Sequence, residues 1–234
     1  MSQLNKAVNK TVNKTARADP FAAFMKLKGK PCLMIGGQGE AADKIQVLLR
    51  AGAEVTLVAE TMSSEMSQVL KEHPVNWQQV PFAPHHLDGV WLVVSTLTDV
   101  VQNRTLFELA SERQIWLNVV DQPKNCTIIW PALVHRSPIT VAISTGGASP
   151  ALAGYLRALI ENLIPPSMGE LAYWLSGWRR RVGPKLPDLA ARGQFWRVLF
   201  EKGLPDCFLN GDVKNAEKMI RKQADIWSVK LDDS

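Results

Sequence analysis

The stretch CLMIGGQGEAADKIQVLLRAGAEVTLVAE, residues 32–60, confines the chain to few architectures. A short apolar run at 32–35 meets three glycines. Beyond them Ala41, Ala42, Ile45, Leu48 and Leu49 recur at helical spacing, and Gly52 stands where helices commonly end on a left-handed residue. A β-branched run, EVTLVAE, follows. Strand, glycine turn, helix and second strand make a crossover, and such connections join parallel strands.

The alternation continues. SSEMSQVLKEH and NRTLFELASERQ have helical patterns, DGVWLVVST and IWLNVV read as buried strands, and PITVAIST as a further one. The order β-α-β-α-β-α-β over residues 30–120 predicts an α/β, doubly wound parallel sheet of Rossmann-like type, covered on both faces. After STGGASP the chain turns to helical patterns broken by IPPS, GPKLP and GLPD. There Trp174, Trp178, Trp196 and Phe200 sit at helical spacings and are assigned to a helical core. The expected organisation is a disordered basic arm (1–22), a nucleotide-type domain (23–132), a connecting segment (133–164) and a small helical C-terminal module (165–234).

A dinucleotide site needs glycines for a tight strand-to-helix turn and for close approach of backbone to pyrophosphate, which then meets the helix N-terminus. Counting from Gly36, the turn reads G-G-Q-G-E-A: Gln38 takes the place of the second glycine, and Ala41 that of the third. Gly37 or Gly39 must then supply the close approach. Glu60, at the expected end of the second strand, is placed to bind ribose hydroxyls, which favours NAD over NADP. Open α/β sheets bind ligands beyond the carboxyl ends of their strands. The candidates are therefore Gly36, Gly37, Gln38, Gly39, Glu40, Ala41 and Glu60, with Thr96, Asn118 and Val119 at the later strand ends.

Composition narrows the rest. The net charge is +5, but no nucleic-acid recognition motif accompanies it, and much of the excess lies in the first 30 residues and in WRRRVGPK at 178–185. We therefore expect no nucleic-acid partner. The N-terminus lacks a secretory apolar core, no apolar run approaches a membrane span, and Cys32, Cys126 and Cys207 are widely spaced. These features predict a cytoplasmic protein with reduced thiols and no membrane partner. His85 and His86 lie in a Pro-rich loop and are expected to face solvent. His135 stands alone, and no His/Cys cluster has metal-ligand spacing, so no resident metal is expected.

The segments GGQGEAADKIQVLLRAGAEVTLVAE, LNVVDQPKNCTIIWPALVHRSPITVAISTGGASPALAGYLRALIENLIPPSMGEL and FWRVLF resemble the precorrin-2 dehydrogenase/sirohydrochlorin ferrochelatase module of siroheme synthases. The similarity runs from about Phe24 to Phe200. Fused members continue into a methyltransferase, so the chain resembles the stand-alone form. The resemblance implies NAD-dependent oxidation of the tetrapyrrole precorrin-2 to sirohydrochlorin. Insertion of Fe²⁺, as substrate rather than resident cofactor, then gives siroheme. It also implies a homodimer, with residues 133–164 as a dimerisation segment. Asp121, ending N-V-V-D, matches the family's aspartate for both steps, and Thr145, preceded by Ser144, matches its hydroxyl ahead of the double glycine Gly146–Gly147. The substrate carries eight carboxylates, for which Arg136, Arg157 and the Arg179–Arg181 run are candidates.

From the residues alone, Asp121 could equally initiate a turn, and STGG could be a plain loop or an anion-binding nest. Four departures from the family pattern stand in the sequence: Gln38, the Leu97-Thr98-Asp99 run, His135 and Gly154. They leave open a member that keeps only the chelatase step or tetrapyrrole binding.

Overall fold

A computed structural model of the chain describes residues 19–231, so the expected arm falls largely outside the described residues. Two compact units emerge. One comprises residues 19–130 with 146–148, the other residues 131–145 with 149–231.

The first unit is a five-stranded, wholly parallel sheet: β1 (Pro31–Gly37), β2 (Glu54–Met62), β3 (Asn76–Gln78), β4 (Leu92–Ser95) and β5 (Trp116–Val119), in the order β3-β2-β1-β4-β5. Three helices connect them: α1 (Ala41–Arg50), α2 (Ser64–Glu72) and α3 (Val100–Glu112). Alternate residues of β1 feed opposite faces. Cys32 and Met34 pack with Ala41, Ile45 and Met66 of α1 and α2, whereas Leu33 and Ile35 pack with Leu106 and Ala110 of α3. Each such fully buried aliphatic side chain contributes roughly 1.5–3 kcal/mol. The expected doubly wound sheet is thus present, with one strand more than the four anticipated. Asn76–Gln78 lacks the β-branched run that announces a strand, and only pairing with β2 makes it one.

Helix ends follow their local chemistry. Gly52 (φ +75°) closes α1, its amide bonded to Leu49 O and that of Ala53 to Leu48 O, the two bonds of a Schellman stop. The Ser63 hydroxyl caps α2 through Met66 N at 3.1 Å, and Asp99 caps α3 through Val101 N and Gln102 N at 2.8 and 3.0 Å.

The second unit begins with an antiparallel hairpin, β6 (Ala132–Arg136) and β7 (Ile139–Ile143). PITVAIST therefore forms a strand outside the parallel sheet. Five helices follow: α4 (Pro150–Leu163), α5 (Ser167–Val182), α6 (Leu189–Glu201), α7 (Leu204–Leu209) and α8 (Val213–Ile226). Leu171, Trp178, Val182, Phe195, Leu199, Leu204, Ile220 and Ala224 make their core. Trp174 meets Trp178 edge-on and lies tilted against Phe208, and Trp196 meets Phe195 edge-on, as the helical-core assignment expected. Phe200 departs from it: this side chain is 47% exposed, and Phe195 holds the buried aromatic position of α6 instead. Helix α4 buries no residue; Leu152, Tyr155, Leu159 and Leu163 line one exposed apolar face. Among the described residues no helix is long and apolar enough to cross a membrane.

Candidate functional site

The helix after β1 and the helix after β4 lie on opposite faces of the sheet, so the connections diverge between these neighbouring strands. A doubly wound sheet leaves its ligand crevice there. The glycine turn borders it, and each glycine has a distinct surrounding. A Cβ on Gly36 (φ +86°) would lie 2.6 Å from Thr96 Oγ1, so this glycine lets β1 and β4 close against each other. A Cβ on Gly37 would meet Thr61 O at 2.7 Å and Met62 Cβ at 2.8 Å, which makes it the glycine that admits β2. Gly39 (φ +59°) would meet nothing within 4 Å. The open, left-handed glycine is therefore one residue beyond the place the motif count assigns.

Gln38 is exposed and lacks a positive φ, so its backbone does not demand glycine. Its Nε2 reaches Thr61 Oγ1 at 3.5 Å. Glu40 precedes α1 without capping it and pairs with Lys44 at 3.1 Å, and no side chain of the N-cap occupies the helix-end amides. Ala41 is fully buried, as helix-to-strand packing requires of the third fingerprint position.

Glu60 does not close β2, contrary to expectation. The strand continues to Met62, and the register jumps from Ile35↔Val58 to Gly37↔Met62. Residues 59–61 thus oppose Gly36 alone, and Glu60 is the exposed middle of the bulge. Trp77 Nε1 donates to Ala59 O at 3.0 Å and Gln79 Nε2 to Glu60 O at 3.2 Å, satisfying carbonyls the bulge releases.

At the end of β4, Ser95 and Asn103 are fully buried and joined at 2.9 Å; Asn103 Nδ2 also donates to Leu97 O at 2.8 Å. This pair fixes the turn carrying Thr96, whose amide bonds Ile35 O. Sequence reading missed it, although a serine ending an apolar strand and an asparagine inside an amphipathic helix were its signals.

Beyond β5, Asp121 is exposed, with φ +59°. Ile35, Ser95 and Val119 are direct partners across β1, β4 and β5. Asp121 and the glycine turn therefore share one sheet edge, two strands or ~10 Å apart. Asn118 is almost buried and donates to Ile128 O at 3.2 Å, while the Val119 amide donates to Cys126 Sγ at 3.2 Å. Both shape the Asp121 loop. Burial pushes the Cys126 thiol above its ordinary pKa.

In the second unit Arg136 donates to Ile164 O at 3.0 Å and to Glu161 at 3.3 Å, and Arg157 meets the other Glu161 oxygen at 2.7 Å. One carboxylate thus joins both predicted arginines. Thr145 Oγ1 accepts from Ser149 N and donates to Ser149 O, each at 3.1 Å, next to exposed Ser144. Gly146 and Gly147, both at positive φ, group with the first unit. His135 Nδ1 lies 3.0 Å from Thr140 Oγ1. His85 is exposed as expected, but His86 is half-buried and its Nδ1 accepts the Ala83 amide at 2.9 Å. Among the described residues no group of three or more His, Cys, Asp or Glu could hold a metal ion.

Comparison with known proteins adds three consecutive family matches: "Putative NAD(P)-binding" over residues 23–132, "Sirohaem biosynthesis protein central" over 136–163, and "Sirohaem synthase dimerisation region" over 167–223. Siroheme synthase of Photorhabdus laumondii is 38% identical over 205 residues, 88% of this chain and 44% of that protein. Siroheme synthase 1 of Yersinia enterocolitica is 37% identical over 203 residues, 87% of this chain and 43% of that protein. The chain thus spans less than half the length of these curated relatives. Among solved structures, SirC, a precorrin-2 dehydrogenase, superimposes with a TM-score of 0.67 at 21% identity, covering 88% of this chain and all of that one; this likeness shows the fold.

Proposed function

Since the chain belongs to the siroheme synthase family, carrying its NAD(P)-binding, central and dimerisation regions in order, we propose that it oxidises precorrin-2 to sirohydrochlorin with NAD and then inserts Fe²⁺. The observation that carries the proposal is one sheet edge bearing both an open glycine turn and, two strands away, an exposed carboxylate.

The turn fits a dinucleotide. Gly39 leaves the space a Cβ would fill, Gln38 reaches toward Thr61, and α1 presents amides its N-cap does not cover. Gly36, Gly37, Gln38, Gly39, Glu40 and Ala41 would hold the pyrophosphate, Glu60 the ribose, and Thr96 the rim. Bound NAD supplies the hydride acceptor. Asp121 accepts the proton that leaves precorrin-2 with the hydride, and its exposure lets that proton pass to water. Fe²⁺ insertion expels two pyrrole protons, which the same carboxylate takes up one at a time and passes to water. Arg157 and Arg136, with the Ser144–Gly147 loop, receive substrate carboxylates. Homodimerisation covers the apolar face of α4 formed by Leu152, Tyr155, Leu159 and Leu163.

The test is an anaerobic assay of precorrin-2 with and without NAD⁺, following the sirohydrochlorin spectrum, with Asp121→Ala alongside. Conversion that needs both NAD⁺ and Asp121 supports the proposal. No conversion by folded wild-type protein sinks the oxidation, and siroheme formation from supplied sirohydrochlorin and Fe²⁺ would then identify a member that retains only the chelatase step.

A further inference from the structure

Three non-glycine residues in the described chain have positive φ: Gln114, Asp121 and Ser228. Gln114 and Ser228 follow the C-caps of α3 and α8, where amide bonds to the last turn make the left-handed conformation routine. Asp121 has no such excuse. The Gln122 amide bonds Val119 O at 3.3 Å, which makes residues 119–122 a β-turn with Asp121 third. A positive φ at that position is met by glycine or asparagine by preference. Aspartate tolerates that conformation at a cost which surrounding contacts offset.

The restraint is visible. Cys126 Sγ accepts the Val119 amide at 3.2 Å and lies 3.3 Å from Val119 O and 3.4 Å from Gln122 O, so its one S–H hydrogen serves either carbonyl. The sulfur therefore grips the turn on both sides of Asp121. Flanking bonds anchor the returning chain. Thr127 N donates to Leu117 O at 2.8 Å, Leu117 N donates to Thr127 Oγ1 at 2.7 Å, and Asn118 Nδ2 donates to Ile128 O at 3.2 Å.

We infer that Cys126 is a positioning residue, whose thiol clasps the 119–122 turn and sets where the Asp121 carboxylate stands; this rests on Asp121 being the carboxylate of the proposed oxidation. The thiol's raised pKa keeps the hydrogen on sulfur at neutral pH, as a clasp that donates requires. The glycine turn borders β2 and β4 and has no bond to Cys126, which among the cofactor candidates touches only the later-strand Asn118 and Val119, so pyrophosphate binding at that turn and carboxylate placement separate.

The experiment compares wild type, Cys126→Ala, Cys126→Ser, Asp121→Ala and the double variant Asp121→Ala/Cys126→Ala. Cys126→Ala lowers kcat by roughly tenfold to a hundredfold, as misplacement of a catalytic group does. NADH Kd stays within about threefold of wild type, as for an independent site. Cys126→Ser, which keeps a donor and an acceptor, recovers part of kcat. In the Asp121→Ala background the second change adds nothing. Additive losses in the double variant, or an NADH Kd that rises with the fall in kcat, would overturn the inference.

A stability readout tests the clasp without catalysis. Asp121→Gly melts above Asp121→Ala in the wild-type background, because only alanine resists the left-handed turn. The gap closes when Cys126 is alanine. A gap that persists refutes the clasp even if precorrin-2 is never oxidised, and a gap that closes in an inactive protein refutes only the reaction.

Discussion

Replacing Gly37 by alanine separates packing from binding within the glycine turn. The φ at this position is ordinary, so no backbone strain arises. The added methyl would stand 2.7 Å from Thr61 O, 2.8 Å from Met62 Cβ and 3.0 Å from Met62 Cα, and backbone cannot swing aside as a side-chain tip can. β2 must retreat by several tenths of an ångström. That retreat strains the Gly37↔Met62 pairing and the 2.9 Å bond from Ser63 N to Gly37 O. Overpacking costs about 1–3 kcal/mol and a lost buried bond about 1 kcal/mol, so roughly 2–4 kcal/mol is expected. For a unit of this size that lowers Tm by on the order of 10 °C or more. Gly39→Ala is the counterpart. It pays about 1 kcal/mol for its left-handed backbone, meets no neighbour, and acts instead on the ligand side. Calorimetry and NADH fluorescence titration on both variants give the comparison. If Gly37→Ala melts within about a degree of wild type, or Gly39→Ala binds NADH unchanged, the division of labour among these glycines is wrong.

Other expectations follow from the same contacts. Gln38→Gly should leave NADH affinity within about threefold, because the native side chain already reaches toward Thr61; a larger gain in titration would show that Gln38 crowds the cofactor. Asp99→Ala should cost about 1 kcal/mol in denaturant unfolding through loss of the α3 cap. Burial raises the Cys32 thiol from the ordinary 9.0 to about 11. The unfolded chain releases this proton first, so the stability it confers is whole below pH 9 and fades between about pH 9 and 11, by roughly 2–3 kcal/mol. Cys32→Val should flatten that decline in unfolding free energy, and an unchanged slope would assign it to other groups. Leu159→Arg, on the exposed face of α4, should yield monomers in analytical ultracentrifugation, whereas an intact dimer would place the interface elsewhere.

What the sequence made legible was periodic chemistry. The runs at 32–35 and 92–94 are apolar at every position because both sheet faces are covered, and Gly52 marks the end of α1 through one conformational requirement. The unreadable parts depend on partners distant in the chain. Asn76–Gln78 is a strand only because β2 offers an edge, and Glu60 leaves the strand end because Gly37 pairs with Met62. Helix α3 starts at Val100, three residues earlier than its apolar pattern, since exposed Val100 and Val101 blur the first turn that Asp99 caps. Of the site, the turn and Asp121 stood in the motif. Which glycine is open required the Cβ surroundings, and the grip of Cys126 on the Asp121 turn required coordinates.

The bulge in β2 also bears on solubility. A parallel sheet ends in a row of unpaired amides and carbonyls that invites another chain to continue it. Here the outermost strand, β3, is three residues long, and the indole of Trp77 and the amide of Gln79 bind the next two carbonyls, Ala59 O and Glu60 O. The ladder beside the glycine turn is thereby terminated by side chains beyond this short strand. The bulge at residues 59–61 thus also shortens the edge that this border of the sheet offers to another chain.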